Sequence, residues 1–495
     1  MRKLLCLDVG TTSVKAALFD ENLRLLKVVI REYKLETPRT GYVEMEPLLY
    51  WESAVEGIRQ VIRETGTDPG EVAAITCTTQ GETLIPVDIR GNALHKAIVW
   101  LDSRAREESG TIAEKFDATA FYAKTGIPEV NGYCPISKLL WIRNHLPEVY
   151  EKTEKFLLLE DYLVFKLTGR FVTNPGIMCT TGYFDIEKSA IWTEILDRCG
   201  LNPSKIPEVL PCGECVDTLS DSACEALGLT DQTVVSTGAM DQITGAIGAG
   251  NFDEGMVSET TGTAMVIAAT TEHPALSRPS PVSVYTHACS GKYLYIDVRQ
   301  TAGMVLKWFR DEFCRDLPEE TSYQEMSRMA EAVPPLSRGV SMYPHLTGIQ
   351  TPVLNENARG VFFGLGLDTG RDCLIRALME SIGYSLRESL ELMGLKPVLL
   401  TSLGGGSKSD VWNQIKADIC NLRIRTPSVT EAASLGAAIL GGAACGIFPD
   451  IETPVRKISF RKQYSPEQEY LSAYEDGYQR YRKMYERFAP LFNKN

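Results

Sequence analysis

The sequence predicts an α/β fold in two domains of one design, and three observations carry that prediction. The apolar run Leu4–Leu7 leads into Asp8-Val9-Gly10-Thr11-Thr12-Ser13, and a second extended run, Val14–Phe19, leaves it. This is the pattern of a hairpin whose first, buried strand delivers a carboxylate to its own end. A third strand over 23–30, a helix with Trp51, Val55, Ile58 and Ile62 on one face, and a strand over 72–79 then follow. The pattern restarts at 256–259, which leads into Thr260-Thr261-Gly262-Thr263 and returns over 264–269. Three antiparallel strands, a helix and a further strand open a ribonuclease H/actin-like domain. Such sheets place ligands at their strand ends.

A chain of 495 residues is too long for one core, so two large domains or three smaller ones are expected. A formal charge of −13 argues against a nucleic-acid partner. It leaves a nucleotide open, because amides and helix N-termini bind phosphate whatever the global sign. The 13 cysteines form no framework, and Cys6, Cys77 and Cys420 sit in apolar runs as reduced core thiols do. The pair Cys212 and Cys215 has no second pair or His cluster at zinc spacing and reads as incidental. Asp8 ends the first apolar run too early for a signal peptide. The segment 435–448 is too short and glycine-rich to span a bilayer. A cytoplasmic protein without membrane contact is expected.

Along the chain, Glu46-Pro47 opens the first helix, and the strand over 72–79 ends at Gln80-Gly81-Glu82-Thr83. A short strand over 97–100 closes on Leu101-Asp102-Ser103-Arg104. Charged helices alternate with turns as far as 201, and a strand over 233–237 ends in Gly238-Ala239-Met240-Asp241-Gln242. The small-residue crossover at 246–255 is the expected boundary, giving domains 1–250 and 251–495. In the second domain a strand over 397–402 opens onto Gly404-Gly405-Gly406-Ser407. The helix after it carries Val411, Ile415 and Ile419 on one face, and 431–445 is a helix crowded with Ala and Gly. The tail has a helix start at Ser465, Pro466 and Gln468 and a tyrosine stripe at 470, 474, 478, 481 and 485, expected as core contact or a subunit interface.

Phosphoryl transfer from a nucleotide to a hydroxyl needs cradled phosphates, a bridging cation, an aligned acceptor and a carboxylate for the hydroxyl proton. The sequence supplies two phosphate-type turns, Asp8–Ser13 and Thr260–Thr263, and a carboxylate at a strand end, Asp241. The glycine-rich junction 404–407 is a place where backbone can lie flat against a nucleotide. Gly404–Ser409 is not a P-loop, since no Gly precedes the Lys, and neither protein-kinase nor serine-hydrolase motifs are present.

Tyr133-Cys134-Pro135-Ile136-Ser137-Lys138-Leu139-Leu140-Trp141-Ile142-Arg143-Asn144-His145 fits, position by position, the first signature of the FGGY carbohydrate kinases, which the chain resembles nearly end to end. Gly360, Phe362, Gly364, Leu365, Leu374, Ala377 and Glu380 match the second signature, from which Cys373 and Leu378 depart. Glu44–Pro47, Glu160–Leu163 with Thr168-Gly169 and Phe184-Asp185, Gly404–Trp412 and Glu431–Ala438 resemble further family segments. The resemblance implies two actin-like domains with ATP and Mg²⁺ in a cleft between them. It implies Asp241 as the general base, and Asp8 with Asp241 at the metal. Thr11, Thr12, Ser13, Lys15, Gly262 and Thr263 would hold phosphates, and Gly404, Gly405, Gly406, Ser407 and Asn413 the adenosine end. Gln80, Gly81, Glu82, Trp100, Asp102, Tyr133, Asp241 and Gln242 would line the acceptor pocket. A homodimer is expected.

Thr79–Thr83 resembles a glycerol kinase segment, but Gly81 stands where that group uses an arginine to grip a glycerol hydroxyl. The smaller residue leaves room that a longer polyol or ketose could fill. Asp102-Ser103-Arg104 and the adenosine segment are similar to xylulokinases, whose usual Met-His pair near 80–82 is absent. The expectation is a pentulose such as xylulose, with glycerol or a tetritol as the alternative. In another class, an actin-like or chaperone-type ATPase machine uses the same scaffold.

Overall fold

The structure, a computed structural model, describes residues 1–277, 280, 282–349, 351 and 354–492. The chain forms two compact units, and it crosses between them more than once. The first holds Met1–Phe252, Glu272–Leu294 and Glu431–Ile458; the second holds Asp253–Thr271, Tyr295–Thr430 and Ser459–Asn495. The single boundary expected at 250 therefore marks only the first crossing.

In the first unit, β1 (Lys3–Val9), β2 (Ser13–Asp20) and β3 (Leu25–Glu32) form an antiparallel ladder. Leu4–Leu7 are buried, as an uninterrupted apolar run in a central strand requires. A two-residue strand, β4 (Glu44–Met45), precedes α1 (Pro47–Thr65). Proline starts this helix without wasting a hydrogen bond, and Gly66 ends it at φ 60°, where a side chain would strain. β5 (Val72–Thr79) lies parallel to β1. The chain then builds a small sheet from β6 (Leu84–Val87) and β7 (Ala97–Ile98), runs through α2 (Pro135–His145) and adds β8 (Lys155–Leu158) to it. It returns to the main sheet with β9 (Cys215–Thr218) and β10 (Val234–Met240), which pairs parallel to β5 and leads into α3 (Asp241–Gly248). The strand order is β9-β10-β5-β1-β2-β3.

The Ala- and Gly-rich helix Ala432–Ala444 lies in this first unit, packed on α3, β1, β5 and β10. Its composition has a steric reason. A Cβ at Gly436 would run into the Thr244 carbonyl, and one at Gly248 into the Ala432 carbonyl, so the two helices cross backbone to backbone.

The second unit repeats the order. β11 (Met256–Thr261) pairs antiparallel with β12 (Met265–Thr271), beyond which lies β13 (Tyr293–Arg299). The chain continues through α4 (Ser322–Glu331) and α5 (Arg371–Met393) to β14 (Leu399–Gly404), parallel to β11. α6 (Asp410–Cys420), the parallel strand β15 (Ile424–Pro427) and the antiparallel edge β16 (Phe460–Tyr464) complete it. The tail helix, α7 (Leu471–Phe492), starts later than the Ser465 cap predicts. The Ser465 carbonyl instead accepts from Gln414 at 2.8 Å and the Glu467 amide donates to Asp418 at 2.8 Å, so α6 holds this stretch out of the helix. Tyr474, Tyr478 and Tyr481 are buried within this unit, so they are core. Among the described residues no helix is long and apolar enough to cross a membrane.

Candidate active site

The turn from β1 to β2 is closed by a bond from the Gly10 amide to the Ser13 carbonyl (3.0 Å). Tyr33, which carries no sequence signal, braces it: its amide donates to the Thr12 carbonyl at 2.9 Å and its hydroxyl to the Ser13 carbonyl at 3.3 Å. Thr11, Thr12 and Ser13 keep their side chains at least partly accessible. Asp8, just before the turn, lies 3.4 Å from the Lys15 ammonium, which is also 3.0 Å from Glu431. Burial raises the Asp8 carboxyl above its usual range, and Lys15 opposes that rise.

Asp241 is the first residue of α3, half-buried at the end of β10. Burial, then the charge of Asp8, pushes its carboxyl up to about 7, while Gln242 hydrogen-bonds it and opposes the rise. Its approach is shaped by a break in the β10–β5 register between Ser236 and Ala239. There the Gly238 amide donates to Glu160 at 2.7 Å, and a Cβ at Gly238 would strike the Cys77 carbonyl. Glu160 is buried, also accepts from Asn174 at 2.7 Å, and is pushed up to about 8 by burial and by its neighbour Asp161.

Around this end of the sheet lie the loops of the smaller sheet. Gly81 faces Met240 and Thr180, so that a Cβ there would sit 3.0 Å from the Met240 sulfur. Glu82 is half-buried and holds a left-handed backbone at φ 56°, a conformation that costs a non-glycine residue about 1–2 kcal/mol. Burial raises its carboxyl, against the pull of Lys138. Trp100 is 37% exposed, and its indole N–H donates to the Thr11 hydroxyl at 2.9 Å. That bond leaves the Thr11 proton free to point at an anion. Gln80 is buried and donates to Thr83 at 3.0 Å, Gln242 is half-buried, and Tyr133 is 44% exposed.

Asp102 does not join this group. It is fully buried: one oxygen accepts from the Arg104 amide (3.0 Å) and Nε (2.9 Å), and the other from Arg104 Nη2 (2.7 Å) and the Val43 amide (2.6 Å). With every lone pair directed at protein donors, it fixes the loop beside Trp100 and is withdrawn from the acceptor set.

The second unit contains a cavity of about 840 Å³, lined by Gly262, Thr263, Gly405 and Gly406 together with Tyr323 and Trp412. This volume suits a nucleoside. Gly404 takes φ 73° where a Cβ would crowd the Thr261 carbonyl, and Gly406 packs on Thr261. Three adenosine-end residues predicted from the sequence do not line the cavity. Asn413 is fully buried and donates to the Ser407 carbonyl at 2.8 Å, and Ser407 Oγ donates to the Gly404 carbonyl at 2.8 Å. Gly404, Ser407 and Asn413 therefore shape the turn that presents Gly405 and Gly406. Tyr323 on α4 belongs to no motif and is legible only in three dimensions.

Two family models cover the chain: the N-terminal domain of the FGGY family of carbohydrate kinases matches residues 3–248, and its C-terminal domain residues 257–445. The chain belongs to the FGGY family of carbohydrate kinases. It is an ATP-dependent sugar kinase on the two-domain actin-like fold. Among its FGGY relatives, the xylulose kinase of Bacillus subtilis is 29% identical over 456 residues, 91% of this chain and 90% of that one. The glycerol kinase of Thermococcus onnurineus is 32% identical over 463 residues, 91% of each. The ligand-bound xylulose kinase structure from Lactobacillus acidophilus superimposes with a TM-score of 0.90 at 26% identity, covering 100% of both chains.

Proposed function

We propose that this kinase phosphorylates a hydroxyl of a pentulose such as xylulose, with Asp241 as the general base. The observation that carries the reading is the half-buried Asp241 carboxylate at a strand end, close enough to Asp8 and Glu82 for both charges to raise it and hydrogen-bonded by Gln242, its neighbour on α3. Asp241 takes the proton from the acceptor hydroxyl as its oxygen bonds to the γ-phosphorus of ATP. The phosphorus–oxygen bond to the leaving ADP breaks as the new one forms. Thr11, Thr12 and Ser13, with Lys15, offer donors to phosphate oxygens; within the second unit, Gly262 and Thr263 offer theirs at the wall of its cavity. Gly405, Gly406, Tyr323 and Trp412 receive the nucleoside.

Asp8 and Asp241 fit a divalent cation. Both are oxygen donors, the charge of one raises the carboxyl of the other, and Mg²⁺ is held by one or two carboxylates plus phosphates and water. When bound, Mg²⁺ would neutralise charge on the transferring phosphate.

A three- or four-carbon polyol is the second reading, favoured by the glycerol kinase relative at 32% identity. ADP release measured against pentuloses, hexuloses, polyols and aldonates separates the two. Stimulation by a pentulose is the expected result; stimulation by glycerol alone supports the alternative. ATP hydrolysis that no acceptor stimulates would overturn both and favour a conformational ATPase.

A further inference from the structure

We propose that Lys138 is a positioning residue for the acceptor: its ammonium ties the Gln80–Thr83 loop to the turn after β7 and so sets where Glu82 and Trp100 meet the sugar. This rests on the assignment of Glu82 and Trp100 to the acceptor pocket. Lys138 lies in the first turn of α2 and is fully buried. It donates to the carbonyl of Glu82 at 2.9 Å and to the carbonyl of Val99 at 2.9 Å, one from each loop.

Both carbonyls belong to tight turns. The Thr83 amide bonds back to the Gly81 carbonyl at 2.8 Å, closing a three-residue turn around Glu82 at its φ of 56°. Such turns are strained and persist only where their surroundings over-determine them. The Asp102 amide bonds back to the Val99 carbonyl at 2.9 Å. The Thr83 hydroxyl joins the same two loops a second time, accepting from the Trp100 amide at 3.2 Å and from Gln80 at 3.0 Å. A third loop is gathered on the same helix, where Ser137 donates to the Asn131 carbonyl at 2.8 Å and Asn131 accepts from the Tyr133 amide at 3.0 Å.

An apolar side chain in place of Lys138 would take a donor from the Glu82 carbonyl and leave the Val99 carbonyl with the Asp102 amide, so the two loops would lose their shared tie, whereas an ammonium brings three N–H groups. A fully buried cation held by carbonyls is a poor device for stability alone, because its desolvation offsets most of what it gains. Its value lies in fixing a geometry. Burial lowers the Lys138 ammonium from its ordinary value, and the charges of Glu82 and then Asp102 hold it back up.

Steady-state kinetics of Lys138→Met test the assignment. The expected result is a KM for the sugar at least about ten-fold higher with ADP affinity within about two-fold of the unaltered enzyme. Partial return of the sugar KM should follow when propylammonium is added to Lys138→Ala. A sugar KM that stays unchanged while only thermal stability falls would overturn the proposal. Should these variants not fold, or should the unaltered chain lack sugar-dependent ADP release, amide hydrogen exchange of that chain still decides. The Thr83 and Asp102 amides should exchange as slowly as β5, and loop-like exchange would overturn the clamp. Absent sugar-dependent activity in the unaltered chain contradicts the functional reading. Normal activity with an unchanged KM in Lys138→Met contradicts this inference.

Discussion

In the first unit the strand that enters the glycine-and-hydroxyl turn brings Asp8 to its end. In the second unit the strand at the same place in the sheet brings Thr260 and Thr261. The carboxylate on that second strand, Glu259, is fully buried and bonded to Lys416 at 2.5 Å and to the Ser402 hydroxyl. One design thus carries two chemistries. Where acidic groups stay half-open, as at Asp8 and Asp241, the strand ends suit a cation and a reacting hydroxyl. Where the acid is neutralised and the turn offers only amides and hydroxyls, the strand ends suit phosphate and a nucleoside.

The largest expected effect breaks the comparison on its acidic side. Asp241→Ala should lower turnover by at least about 10²-fold, the scale of a lost general base, and leave ADP binding as it was. Stopped-flow or coupled kinetics with a parallel ADP titration read both quantities. On the other side, Lys416→Met should destabilise the protein by about 3–5 kcal/mol in denaturant titrations, because it strands a buried carboxylate. Adding Glu259→Gln should recover most of that loss. A catalytic role for Glu259 would instead show as lost turnover in a fully folded double variant.

Gly81→Arg sharpens the acceptor side: kcat/KM should move toward glycerol over a pentulose by roughly ten-fold. An unchanged acceptor profile counts against Gly81 as a pocket residue. The smallest effect belongs to Glu160. Its carboxyl stands at about 8 in the fold against an ordinary 4.5. The folded chain therefore binds that proton more tightly than the unfolded one, and the stability it contributes at low pH is lost as pH rises from about 4.5 through about 8. Glu160→Gln keeps an oxygen for the Gly238 amide and removes this loss. Its melting temperature should match the parent near the bottom of that range and exceed it by a few degrees above pH 8.

Much of this was legible in the sequence because the signals are local. The first hairpin, the 51–62 helix face and the restart at 256 each declare themselves within a dozen residues, and the structure has these elements. The strand ends that carry Asp241 and the glycine-rich junction were legible for the same reason. The rest depends on contacts between distant residues. Asp102 looks like a free carboxylate until Arg104 and the Val43 amide are placed on it. Asn413 looks like a pocket residue until it is turned onto Ser407. Nothing near Tyr33 or Tyr323 announces what they touch, and Lys138 sits in a motif that gives no hint of two carbonyls from separate loops. The helix Ala432–Ala444 shows its composition plainly, but only the crossing with α3 explains it.

The central claim is a division of labour: the first unit holds the acceptor and the second the nucleoside. Calorimetric titration of two variants, Glu82→Ala and Gly406→Ala, each against a pentulose and against ADP, tests it most directly. A Cβ at Gly406 would sit 2.7 Å from that of Thr261 at the cavity wall. The account predicts that Glu82→Ala loses sugar affinity and keeps ADP, and that Gly406→Ala does the reverse. Loss of ADP binding in Glu82→Ala, or of sugar binding in Gly406→Ala with ADP binding intact, would contradict it.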